Sequence, residues 1–105
     1  MKSKSVNLLL VDDREEGLLT LEVILRRHDY NLVKARSGRE ALSLVLEHDF
    51  AAILLDVQMP GMDGFETAGL IKERERSRHV PLIFVTAINE DPFLLHKGYE
   101  VGAVD

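Results

Sequence analysis

Four stretches of the chain carry apolar residues almost without interruption, and all four are short. The runs VNLLLV at 6–11, NLVKA at 31–35, AAILL at 51–55 and PLIFV at 81–85 read as strands. Three of them are nearly continuous in apolar residues, as parallel strands covered on both faces should be. Between them the period changes. Residues 15–28 place Leu18, Leu21 and Leu25 at helical spacing. Residues 37–47 and 63–74 each open on a capping signal, Ser37 with Glu40 and Asp63 with Glu66, in which the first side chain accepts from the first turn and the glutamate reaches back. Asp91 followed by Pro92 marks the start of a fourth helix. The βαβαβαβα order predicts an α/β fold: an open parallel sheet with right-handed crossovers and helices on both faces. No internal repeat, low-complexity tract or linker interrupts it, so the 105 residues read as one domain, 1–105.

The pattern leaves its carboxylates unexplained. The first strand ends on Asp12 and Asp13, the third on Asp56, and Thr86 with Ala87 follows the fourth. In open α/β sheets, sites form beyond the carboxyl ends of strands where the strand order reverses. If the first and third strands are neighbours, the three carboxylates converge. Crowded carboxylates raise one another's pKa and destabilise the fold unless a positive charge lies among them. One aspartate alone could simply cap the next helix, but three at strand ends ask for a cation. Magnesium fits, because it takes hard oxygen ligands and few protein carboxylates directly. With no cysteine and no paired histidines near the motif, zinc and copper lack their preferred ligands. A carboxylate beside such an ion can act as a nucleophile and form an aspartyl phosphate. Asp56 is the natural candidate, alone at its strand end before a Met59-Pro60-Gly61 loop read as flexible. Thr86 could hydrogen-bond the phosphoryl oxygens, and the small Ala87 leaves room for them.

Composition narrows the classes further. Apolar residues make up 46% and charged residues 30%, the balance of a globular rather than a disordered chain. Thirteen basic against 18 acidic residues give a net charge of −5, which argues against a broad basic face for nucleic acid. The start MKSKSVN has too short an apolar run for a signal peptide, and no segment approaches a membrane span. The expected location is cytoplasmic. The run KERERSRH at 72–79 reads as a solvated helix end with local ion pairs, and His28, His48, His79 and His96 as scattered surface residues.

Four motifs carry a resemblance over essentially the whole chain: VDD at 11–13, LLDVQMPGMDG at 54–64, VTA at 85–87 and GAVD at 102–105. In this order and spacing they resemble a receiver domain of two-component response regulators. The resemblance implies a flavodoxin-like sheet of strand order 2-1-3-4-5. It implies that Asp56 accepts a phosphoryl group from a histidine kinase or histidine phosphotransfer protein. It implies that Asp13, Asp56 and the carbonyl of Gln58 bind Mg2+, with Asp12 acting through water, and that Thr86 follows phosphorylation and moves its loop. The output goes to an attached domain or a downstream protein, and the wording around Asp56 resembles receivers attached to hybrid sensor kinases.

One departure from the family is plain. Members continue past GAVD into a fifth strand, with an aromatic switch residue and a lysine that pairs with the phosphoryl group, and then into a fifth helix. This sequence stops at Asp105, and Lys97 and Tyr99 belong to the fourth helix, so the domain is expected to be C-terminally incomplete. An exposed fourth-strand edge then invites self-association. Ile88 is expected to limit water access to the phosphorylated site. Rival readings are weaker on the residues. A haloacid-dehalogenase-type phosphatase needs a second aspartate two positions after the nucleophile, where Gln58 and Arg14 stand instead. A nucleotide-binding domain needs a glycine-rich turn that DDREEG lacks. A receiver-like interaction module that is never phosphorylated is the remaining alternative. The reading excludes an enzyme acting on metabolites: the chain catalyses only its own phosphoryl transfer and dephosphorylation.

Overall fold

A computed structural model of the chain describes residues 6–26 and 29–85. The expected fourth helix and the residues Thr86, Ala87, Ile88, Lys97 and Tyr99 lie outside the described residues, as do His28, His96 and the GAVD motif. In chain order the elements are β1 (Val6–Val11), α1 (Glu15–Leu25), β2 (Tyr30–Ala35), α2 (Gly38–Glu47), β3 (Ala52–Asp56), α3 (Gly64–Glu73) and β4 (Leu82–Val85). The four strands pair in parallel in the order β2-β1-β3-β4, the flavodoxin-like order expected. Two boundaries differ in a way that matters. The third strand runs one residue further than expected and includes Asp56, and the first helix stops at Leu25.

Strand register explains the core. Leu9 lies beside Ile53 and Val11 beside Leu55, and Ile53 and Leu55 in turn lie beside Leu82 and Phe84. Residues paired across a parallel ladder point to the same face, so these form one continuous apolar layer. Ala41 and Val45 of α2 and Ala68 and Ile71 of α3 close over it. The intervening residues Leu8 and Leu10 point the other way and are buried as well, as is Leu18 of α1, which packs along β1 and β2. Helices thus cover both faces, which is why β1 reads as an unbroken apolar run. Burial of each such side chain contributes roughly 1.5–3 kcal/mol.

The helix ends were partly legible. At α3 the capping box is complete: Glu66 N–H donates to Asp63 Oδ1 at 2.8 Å, and Asp63 N–H to Glu66 Oε1 at 3.0 Å. At α2 only half of it forms. Glu40 N–H donates to Ser37 Oγ at 3.0 Å, but the Glu40 carboxylate accepts from Arg36 N–H at 2.8 Å, one residue earlier than expected. Ser37 is more extended than Asp63, with φ −158° against −80°, and the N–H within reach is that of the preceding residue.

Residues 72–79 are largely exposed, as expected, but only the first two of them are helical and the expected local ion pairs along a helix face are replaced by other contacts. The helix stops at Glu73, and one of its terminal carbonyls, Ile71 O, recruits a following side chain, as helix C-termini require. Ser77, buried, donates its hydroxyl to Ile71 O at 2.8 Å. Lys72 Nζ donates to the carbonyls of Arg78 and Val80 at 2.9 and 3.0 Å. The Arg76 guanidinium crosses to the end of α2, to Leu46 O at 2.9 Å and Asp49 Oδ1 at 3.1 Å. Lys72 binds carbonyls, and Arg76 a carbonyl and a carboxylate of another segment, instead of pairing along a helix face. His48 and His79 are exposed, as expected. Among the described residues no helix is long and apolar enough to cross a membrane.

Candidate functional site

The site is built by continuing two neighbouring strands. Asp12 follows β1 directly, and its N–H still donates to Ala35 O of β2 at 3.1 Å, so the ladder fixes its backbone. On β3, Asp56 is the last residue and pairs with Val85 of β4. Since Leu10 lies beside Leu54, the two-residue period carries Asp12 and Asp56 to the same side of the sheet, the side of α1. Both are buried, and Asp13 is half-buried. Carboxylate oxygens of Asp12, Asp13 and Asp56 lie within 4.8 Å of one another. The convergence expected from the sequence is present.

The capping alternative is not what the aspartates do. The residue that opens α1 is Arg14, and no side chain caps it. Asp12 Oδ1 instead accepts from Arg14 N–H at 3.0 Å, a local turn that fixes the carboxylate. The Arg14 guanidinium lies 3.9 Å from the same oxygen, and the Arg36 guanidinium donates to the Asp13 carbonyl at 3.3 Å. Neither arginine was singled out from the sequence.

Electrostatics single out Asp56. Burial and then the neighbouring Asp12 charge, with a smaller contribution from Asp13, push its carboxyl up from 3.8 to about 6. A backbone hydrogen bond from Gln58 and the Arg14 charge act against this. A carboxylate held this way is poorly stabilised as an anion, and a hard divalent cation among the three would relieve it. The donor set is all oxygen and fits such an ion. Gln58 is exposed and its backbone adjoins Asp56. Thr86 and Ala87 lie outside the described residues.

A feature missed from the sequence is Gly64. A Cβ there would collide with the Asp56 carbonyl oxygen and stand 2.9 Å from Val57 Cα. Its N–H donates to Val57 O at 3.0 Å. The start of α3 therefore rests directly on the backbone of the Asp56 strand end, closer than any side chain permits. The available signal was a glycine placed directly after a capping residue, where no turn demands one. The loop before it is less free than expected: Met59 is buried and belongs to the core, although Gly61 does adopt the left-handed region, φ 74°.

A parallel sheet of this order with an acidic trio at adjacent strand ends defines a class, the flavodoxin-like domains with a candidate cation site at the carboxyl edge of the sheet. Comparison with known proteins makes the assignment specific. The family model for the response regulator receiver domain matches residues 8–105, and the chain belongs to that family, the receivers of two-component signalling. It is 35% identical over 101 residues to the transcriptional regulatory protein SrrA of Staphylococcus aureus, covering 96% of this chain and 40% of that protein. It is also 35% identical over 98 residues to a probable cyclic di-GMP phosphodiesterase of Vibrio cholerae, covering 93% of this chain and 22% of that protein. The chain thus spans less than half the length of these curated relatives. Among solved structures it matches a putative response regulator from Chloroflexus aurantiacus with a TM-score of 0.89 at 32% identity, over 95% of this chain and 81% of that one.

Proposed function

We propose that Asp56 is the phosphoacceptor. The observation that carries this is its place at the end of β3, within 4.8 Å of the Asp12 and Asp13 carboxylates, with its carboxyl pushed up to about 6. In the transfer, an Asp56 carboxylate oxygen attacks the phosphorus of a phosphohistidine. The new O–P bond forms as the P–N bond breaks, and the departing imidazole nitrogen keeps the electron pair and takes up a proton. Asp12, Asp13, Asp56 and the Gln58 carbonyl would hold Mg2+, which supplies charge neutralisation for the crowded oxygens when bound. Thr86 is assigned the hydroxyl that donates to a phosphoryl oxygen, beside the small Ala87. The rigid β1 and β3 ends supply positioning, the larger part of what such a transfer asks of a protein.

The partners in this reading are a histidine kinase or a histidine phosphotransfer protein upstream, and an output domain or downstream protein. The location is cytoplasmic. The mechanism is a shift of population between two arrangements that partners bind unequally. Self-association through the outer edge of β4, which pairs on one side only among the described residues, belongs to the same proposal.

The test is an intact mass of the chain after Mg2+ and acetyl phosphate, beside Asp56→Asn. One added phosphoryl group on the wild type and none on the variant is the expected result. No addition to either would favour the unphosphorylated interaction module, and equal addition to both would place the acceptor elsewhere.

A further inference from the structure

Gly17 stands inside the first turns of α1, although glycine is among the poorest helix formers. No turn or left-handed backbone requires it there, since the positive-φ glycine among the described residues is Gly61. What Gly17 meets is the acidic site. A Cβ built on it would overlap Asp12 Oδ2 and stand 2.7 Å from Asp12 Cγ and 3.2 Å from Oδ1, and these three atoms are its nearest neighbours. The other side of the same carboxylate is taken, because Oδ1 accepts from Arg14 N–H at 3.0 Å. Gly17 N–H in turn donates to Arg14 O at 3.1 Å. The Asp12 carboxylate is therefore clamped between the turn that starts α1 and the bare backbone of the helix itself.

We infer that Gly17 is a positioning residue, whose missing side chain lets the Asp12 carboxylate lie where it shares a divalent cation with Asp13 and Asp56. The inference rests on the reading of that trio as a cation site. The three atoms nearest a Cβ at 17 all belong to the Asp12 carboxylate, and that group is the movable end of a short side chain. The collision would be relieved by rotating the carboxylate out of the cluster, leaving the helix in place. Alanine is also the better helix former. The substitution therefore separates two quantities that a structural glycine would keep together: the fold is preserved or gains stability, while cation affinity falls.

The experiment compares the wild-type chain, Gly17→Ala and Gly69→Ala. Gly69 is a control of the same kind, a glycine in α3 with nothing within 4 Å of its would-be Cβ. Binding of Mn2+ is followed by the paramagnetic resonance signal of the free ion, and urea unfolding is measured without metal. Gly17→Ala is expected to bind Mn2+ about tenfold more weakly or worse, the scale of losing a group that orients a metal ligand. Its unfolding midpoint should be no lower than that of the wild type, and Gly69→Ala should bind as the wild type does. Unchanged Mn2+ binding by Gly17→Ala overturns the inference and leaves the cation reading standing. Weaker binding accompanied by a lowered midpoint also overturns it, because the collision would then be carried by the backbone. A wild type that does not bind Mn2+ overturns the cation reading and the inference with it.

Discussion

Replacing Asp56 with asparagine should stabilise the metal-free protein at neutral pH, and the effect should vanish in acid. The Asp56 carboxyl is raised from 3.8 to about 6 by burial first and by the Asp12 charge second. The folded protein thus holds a proton that the unfolded chain has already released. Between about pH 4 and 6 the native state binds more protons, and the free energy of unfolding falls as pH rises. Above that window the full penalty is present. At about 1.4 kcal/mol for each factor of ten in proton affinity, the penalty has a ceiling of about 3 kcal/mol. The site lies at the open end of the sheet, and solvent screening reduces the expected difference to about 1–2 kcal/mol. Asparagine keeps the shape and removes the charge. The assay is urea denaturation of both proteins with a chelator present, at pH 4.5 and 7.5, read as the difference between variant and wild type so that other titrating groups cancel. A variant less stable than the wild type at pH 7.5, or a difference independent of pH, would refute this account of the site.

Other outcomes follow from the same structure. Mg2+ should raise the wild-type unfolding midpoint at pH 7.5 more than at pH 5, because protonation of Asp56, whose carboxyl is raised to about 6, competes with the ion; calorimetric scans at both pH values check this. Gly64→Ala should destabilise by roughly 1–3 kcal/mol, since its Cβ meets the backbone of Asp56 and Val57 and neither can rotate away; chemical denaturation measures it. Asp63→Ala should cost about 1 kcal/mol through loss of the complete capping box at α3, with the loss visible in the same assay.

How much was legible depended on whether a feature repeats along the chain. β1 and β3 could be read because both of their faces are covered, so Leu8, Leu9, Leu10 and Val11 are all buried and the apolar run is continuous. α2 and α3 announced themselves by Ser37 and Asp63. The acidic site was legible because strand ends in such a sheet must meet. What escaped was set by single close approaches. Gly17 against the Asp12 carboxylate and Gly64 against the Asp56 backbone leave no periodic trace. The basic residues of 72–79 were misread for a related reason: their alternating charge suits a helix, but carbonyls of the loop after α3, at Arg78 and Val80, and of the end of α2, at Leu46, take Lys72 and Arg76 instead.

β3 is flanked by β1 on one side and β4 on the other, with Ile53 and Leu55 fully buried beneath it. Its amides therefore belong to the part of a domain that exchanges hydrogen most slowly, opening only with much of the molecule. On the proposed reading, a covalent mark written on Asp56 lands at the end of this central, buried strand. It cannot be broadcast by bending the strand that bears it. The message must leave as a change of field at a fixed address, to be read by whatever lies across the gap from it. The immobility of the acceptor thus makes the mark a dependable reference, and leaves all of the motion to its readers.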